Sequence, residues 1–136
     1  MADEAVMRVR FSDPVDFTCA DGTAIPKGTL LKLDDARLAV IAGANDNVCG
    51  VCARDKIASD GRTQVAVFMD GIFDFTATGA GIDVGTAFAA GAANEVKAAV
   101  ATDVGMKTVG LALETASANE VFEGLLRPGC NNTAYV

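Results

Sequence analysis

The stretch "TQVAVFMDGIFDF", residues 63 to 75, constrains the fold more than any other feature of the chain. Val65, Val67, Met69, Gly71, Phe73 and Phe75 share one parity. Ala66, Phe68, Asp70, Ile72 and Asp74 share the other, which turns polar toward its end. A period of two is the signature of a strand, and it crosses Gly71 without losing phase. The pattern predicts one long strand, bent or bulged at Gly71. A hairpin turning at Asp70-Gly71 is the alternative.

The same texture runs through the rest of the chain. Asp21-Gly22, Asp60-Gly61, Asp70-Gly71 and Pro128-Gly129 mark tight turns or bulges. Between them lie short apolar or alternating runs: "TLLKL", "NVCGVCA", "TVGLALE" and "EVFEGLL". Short strands with regular turn signals predict a mainly β domain, a small sandwich or barrel. "DDARLAVIAGA" and "AANEVKAAVATDVG" permit helix by propensity, but both fall between strand-like runs and are read as β or loop. Asn94-Glu95 is then a turn.

Order along the chain suggests an internal repeat. "PKGTLLKL", "NVCGVCARD" and "RTQVAVFMDG" are followed by "DVGTAFAA", "KTVGLALET" and "NEVFEGLLRPG". Gly28-Thr29 maps to Gly85-Thr86, Gly50 to Gly110 and Val65 to Val121. Chance likeness in a Gly- and Ala-rich chain is the competing explanation. A true duplication implies two similar three-strand layers closing one core.

Composition narrows the chemistry. The 136 residues suit a single domain whose core needs no metal or disulfide, and 51% are hydrophobic, too many for a disordered chain. The net charge of −7 comes with no dense Lys/Arg cluster, which argues against nucleic acid as partner. No apolar run is long enough to span a bilayer, and the first residues lack the pattern of a secretory signal. Synthesis in a reducing cytosol is expected. The chain has no His, so it lacks the commonest general base and the commonest metal ligand.

The cysteines offer the main reactive motif. Cys49 and Cys52 form Cys-x-x-Cys, but Val48 and Val51 beside them are strand-like, with no helix start to lower a thiol pKa. On a regular strand two residues three apart point to opposite faces. Cys19 and Cys130 stand alone, without the second knuckle of a zinc ribbon. The thiols are read as small buried apolar residues, with neither metal nor cofactor expected. Asp70 and Asp74 share a face and present the alternative of an acid-pair hydrolase, though no aromatic-lined cleft accompanies them. "GAGIDVG" lacks the Lys of a phosphate loop and reads as a turn. No residue is assigned a catalytic role. In the N-terminal stretch, Arg8 and Arg10 are a close basic pair in an acidic chain, on a strand able to add to another chain's sheet edge. An ordinary first strand with one wet face is the other reading.

"VRFSDPVDFTCADGTAIPKGTLLKL", "GVCARDKIASDGRTQVAVFMDGIFDF" and "VGLALETASANEVFEGLL" together resemble the capsid cement, or head decoration, family of tailed bacteriophages. The likeness covers residues 8 to 127 and rests on the order and spacing of the Pro26–Leu31 turn and strand, the "GVCARDK" run, the "MDGIFD" bend and the "GLALET" strand. It implies a compact β-barrel or β-tulip-like domain at 12–127, preceded by an N-terminal arm at 1–11 and followed by a tail at 128–136. It further implies a structural virion protein, not an enzyme, that sits on the outer surface of an expanded head. The partners implied are the major capsid protein and further copies of the chain, as a homotrimer. Arg8, Arg10 and Phe11 are the expected contact residues. A β-domain gripping host glycan is the alternative, which a chain without Trp and with a single Tyr supports poorly.

Overall fold

The computed structural model describes residues 3–100 and 107–129. These form eleven strands and no helix, as the period-two pattern predicts. In chain order they are β1 (Val6–Val9), β2 (Val15–Thr18), β3 (Leu30–Asp35), β4 (Leu38–Ile41), β5 (Val48–Cys52), β6 (Gln64–Phe68), β7 (Gly71–Thr76), β8 (Ala87–Ala90), β9 (Val96–Ala98), β10 (Thr108–Ala112) and β11 (Val121–Leu126). The C-terminal tail from Cys130 onward lies outside the described residues.

Strands β2, β4, β3, β5 and β6 close into a barrel in that order, and β1, β7, β11, β10, β8 and β9 form a six-stranded sheet. Without β1, the sheet repeats the barrel strand for strand. β7 stands for β2, β8 for β3, β9 for β4, β10 for β5 and β11 for β6. The closures correspond too. β2 meets β4 in parallel at Thr18 and Leu38, and Ala77, just past β7, meets Val96 of β9 in parallel.

Bonds outside the strands repeat in the same way. Ile25 and Lys56 exchange backbone hydrogen bonds at 2.9 and 2.8 Å, and Ile82 and Ala116 do so at 2.8 and 2.9 Å. The Gly28 N–H donates to the Cys52 carbonyl, and the Gly85 N–H donates to the Ala112 carbonyl. The internal duplication is therefore structural, but each repeat has five strands and there are two core clusters, not two three-strand layers around one core, because the β3–β4 and β8–β9 segments add strands to each repeat.

Its register differs from the sequence match in one place. The Cys19 N–H donates to the Thr63 carbonyl, and its counterpart, the Ala77 N–H, donates to that of Glu120. Counting on from these bonds, Val65 corresponds to Phe122 and not to Val121. Val65 is 3% exposed, whereas Val121 is 62% exposed. A slip of one residue exchanges the two faces of a strand. Matching Val to Val hid this because the loops before β6 and β11 differ in length.

The bend at Gly71 is also resolved. β6 pairs with β2 and β5, and β7 pairs with β1 and β11, so no hairpin forms at Asp70-Gly71. The chain passes from the barrel into the sheet there. Val65, Val67, Phe73 and Phe75 stay buried on the shared parity, while Met69 is exposed at the crossing. As far as the described residues go, the two ambiguous segments are strands joined by tight turns, β3 to β4 and β8 to β9, with positive φ at Arg37 and at Asn94. Residues 101–105 of the second segment lie outside the described residues.

The repeats share a topology and fill it differently. The barrel interior holds Phe17, Cys19, Ile25, Leu31, Ala39, Cys49, Cys52, Val65 and Val67. At corresponding positions the sheet has Phe75 for Phe17, Phe88 for Leu31 and Phe122 for Val65. Phe88 and Phe122 meet edge to face at 5.3 Å, and Phe75 lies 5.0 Å from Phe88. Such pairs contribute about 0.5–1.5 kcal/mol each beyond their buried area. Space for the Phe88 ring comes from Gly124, the counterpart of Val67. A Cβ on Gly124 would lie 2.9 Å from Phe88 and Phe75 ring atoms.

The outer face of the barrel, with Leu30, Val51 and Phe68, packs on the second repeat, and the Phe68 and Phe73 rings lie 6.0 Å apart. Asn94 pins this junction. Its Nδ2 donates to the carbonyls of Asp3 at 3.0 Å and Gly28 at 3.1 Å, and its Oδ1 accepts from the Leu30 N–H at 2.8 Å.

The exchange of volume between Phe88 and Gly124 is testable in a double-mutant cycle. Gly124→Val is expected to destabilise by about 1–3 kcal/mol through overpacking. Adding Phe88→Leu, which restores the pair used in the barrel, should return about 1 kcal/mol or more as interaction energy in urea unfolding.

Candidate functional site

The N-terminal strand lies against its own chain. β1 pairs antiparallel with β7, with Val6 opposite Asp74, Met7 opposite Phe73 and Val9 opposite Ile72. Met7 points inward and packs on the core. Arg8 lies on the outer face, where its guanidinium approaches Asp74 at 3.5 Å and Glu123 at 3.6 Å. The acidic groups it meets within the chain are thus those of the neighbouring strands.

Arg10 and Phe11 follow, at the corner where β6 passes into β7. Arg10 pairs with Asp13, donates from Nε to the Ser12 carbonyl at 3.2 Å, and sits 5.6 Å from the centre of the Phe68 ring. Ser12 donates to Asp70 at 2.6 Å, closing the corner. Phe11 is 52% exposed, a large apolar ring facing outward beside this charged corner. The acids weighed as a hydrolytic pair are both engaged, Asp70 by Ser12 and Asp74 by Arg8.

Register assembles a wider surface around these residues. Across β1, β7, β11 and β10, Val9, Ile72, Leu125 and Leu111 form one outward row. Val6, Asp74 and Glu123 form the next. The outer sheet face is therefore an apolar band crossed by the Arg8 ion pairs. Exposed apolar bands on soluble domains mark contact surfaces more often than reaction centres.

The thiols lie elsewhere, inside the barrel. The β3–β5 register slips between Leu31–Gly50 and Lys32–Val48, a bulge around Cys49. The extra residue reverses parity, so Cys49 and Cys52 enter the same core as Cys19. The opposite-face expectation for a regular strand fails for this reason. All three are free and buried. Burial pushes the Cys49 thiol up to about 11 and raises those of Cys19 and Cys52. Among the described residues no group of three or more His, Cys, Asp or Glu is placed to hold a metal ion.

Lys56 was invisible as a special residue in the sequence. It is buried, and its Nζ donates to the Ile57 carbonyl at 2.6 Å, Asp60 at 2.8 Å, the Asp21 carbonyl at 3.0 Å and the Asp21 carboxylate at 3.3 Å. Burial works to lower its pKa, and the hydrogen bonds to Asp60 and Asp21 outweigh that and raise it. The Lys56 bond holds Asp60 below the usual carboxylate range. Two turns signalled by Asp-Gly flank this lysine, the one available hint that its charge ties loops together. A polar groove of about 420 Å³ nearby is lined by Asp16 and Asp55 together with Arg54, Arg62 and Lys56, whose charge is already met by Asp60 and Asp21.

Residues 9–128 match the model of a family described as phage cement protein. The chain belongs to the phage cement protein family. This membership makes it a phage structural protein, and the match spans both repeats of the cement chain. The fold of the cement chain is similar to that of the head fiber gp8.5 N base in bacteriophage phi29, at a TM-score of 0.58 and 18% identity over 88% of this chain and 99% of that one. No curated protein matches the cement chain.

Three outcomes are expected from this geometry. Asp60 has a depressed pKa, so its contribution is full above the unfolded carboxylate value and is lost as pH falls through the folded one. Thermal melts should therefore drop below about pH 4. Lys56→Met should lower Tm by several degrees at neutral pH and flatten that acid limb. In a Cys130→Ser background, a thiol reagent at pH 8 should leave Cys19, Cys49 and Cys52 unlabelled until the protein is unfolded.

Proposed function

We propose that this protein binds the outer surface of a phage head and cements neighbouring major capsid subunits against the pressure of packaged DNA. The family match over both repeats carries the proposal. The outward apolar row on β1, β7, β11 and β10, exposed at Val9 and half-buried at Ile72, Leu125 and Leu111, together with thiols whose burial disfavours ionisation, supports adhesion over catalysis. The working unit is proposed to be a homotrimer on the virion, assembled from chains made in the host cytoplasm.

The physical advantage lies in multivalency. Contacts between capsid subunits are individually modest. A trimer touching several of them makes its second and third contacts at high effective concentration, because the partners are already held close. A stable contact of this kind buries on the order of 1,000 Å² or more. Phe11 is the proposed anchor, since it offers apolar area with little rotamer entropy to lose, and Arg8 and Arg10 flank it with charge. The N-terminal stretch 1–11 is the segment proposed to reach the capsid. The N-terminal Met and Ala2 lie outside the described residues.

Purified protein mixed with expanded, undecorated heads should bind saturably and raise the temperature at which the heads release DNA. Phe11→Ala should weaken binding about tenfold, a loss of about 1.4 kcal/mol, with the melting of the free protein unchanged. Absence of saturable binding to such heads defeats the proposal.

A further inference from the structure

The two repeats are joined head to tail, and the faces that meet within the chain recur unpaired at its two ends. Inside the chain, the outer face of the first repeat (Leu30, Val51, Phe68) packs on the second near Phe73, Ala90 and the Asn94 turn. The counterparts of the first set in the second repeat are Ala87, Leu111 and Leu125, and none of the three is fully buried. The counterparts of the second set in the first repeat are Val15, Leu33 and Arg37. Val15 is 40% exposed and Leu33 is 48% exposed, although their counterparts Phe73 and Ala90 are buried.

Two glycines show the same asymmetry. Gly28 and Gly85 occupy matching turns with φ of +90° and +82°. A Cβ on Gly28 would lie 2.4 Å from the Ala5 carbonyl oxygen, and Asn94 bonds the Gly28 carbonyl from the second repeat. A Cβ on Gly85 would meet nothing within 4 Å, and Val84 beside it is 57% exposed. The turn that is covered in the first repeat is bare in the second.

We infer that a second copy of this chain covers it. The Val15, Leu33 and Arg37 end of one copy docks on the Leu111, Leu125 and Asp83–Gly85 end of the next, repeating between chains the junction made within each. The charges agree: Arg37 takes the place of Asn94 and comes opposite a turn carrying the exposed Asp83. Arg37 now covers the Phe17 ring at 4.9 Å and donates to the Asp16 carbonyl, a position at the rim of this end. The contact is heterologous, so it leaves a free end on each partner and closes only as a ring. This assignment of surfaces rests on the proposed homotrimer, in which three such contacts complete the ring.

The test uses full-length chains and sedimentation mass. Wild type is expected to run as a closed oligomer. Leu33→Glu removes one end of the contact and Leu111→Glu or Val84→Glu the other, and each variant alone should be monomeric with an unchanged strand circular-dichroism spectrum. Mixing a Leu33→Glu chain with a Val84→Glu chain leaves one intact pair of ends, so the mixture should form a dimer of the two and nothing larger. A wild type that stays monomeric at its highest soluble concentration, variants that keep the wild-type mass, or a mixture without the dimer each overturns the inference. Head binding by the same variants is read separately: monomers that still saturate heads leave the cement proposal standing, and an oligomer that ignores heads refutes that proposal alone.

Discussion

The arrangement depends on one buried side chain, Asn94, more than on any ion pair. Three backbone groups from two distant segments meet on its amide: the carbonyls of Asp3 and Gly28 and the N–H of Leu30. Each belongs to the N-terminal segment or the first barrel, and Asn94 belongs to the second repeat. Amide geometry suits this task because one group both donates and accepts. Asn also tolerates the left-handed backbone that the turn requires, here φ +65°. Buried backbone groups deprived of such a partner cost about 1–3 kcal/mol each. One residue thus ties the second repeat to both the N-terminal segment and the first repeat, beside the apolar packing of Leu30, Val51 and Phe68 that joins them.

Around that pin, two cores solve one topology with different volumes. The first repeat packs small side chains and three thiols, and the second packs a cluster of phenylalanines against a glycine. Interiors near close packing accept such exchanges when large and small change places together. The thiols then need no chemistry to explain them. They are volume, held in a pocket whose burial suppresses their ionisation.

Much of this was readable in advance, and the failures have physical causes. Alternation across Gly71 showed strands on both sides, since periodicity survives a bend. The likeness of Gly50 and Gly110 was visible because each lies too close to a carbonyl, of Phe68 and of Leu125, to carry a Cβ. The parity of Cys49 and Cys52 was misread because a bulge adds a residue that no residue type announces. The pairing of Val65 with Val121 erred because identity outranked burial. Asn94 stayed hidden because its partners lie 64 or more residues away, and local pattern carries no trace of so distant a bond. Lys56 stayed hidden because its burial depends on Asp21, 35 residues back, joining the nearby Asp60. For the contact surface, sequence located the arginines but not the apolar row of Val9, Ile72, Leu125 and Leu111, which exists only once four strands are in register.

The crossing from β6 to β7 has a mechanical meaning. Only Met69 and Asp70 separate the last residue of one repeat's ladder from the first of the other's, and Ser12 ties Asp70 in place. Such a joint has almost no slack. With so short a crossing, one repeat has little room to turn against the other at this corner, and the two ladders hold a common orientation there.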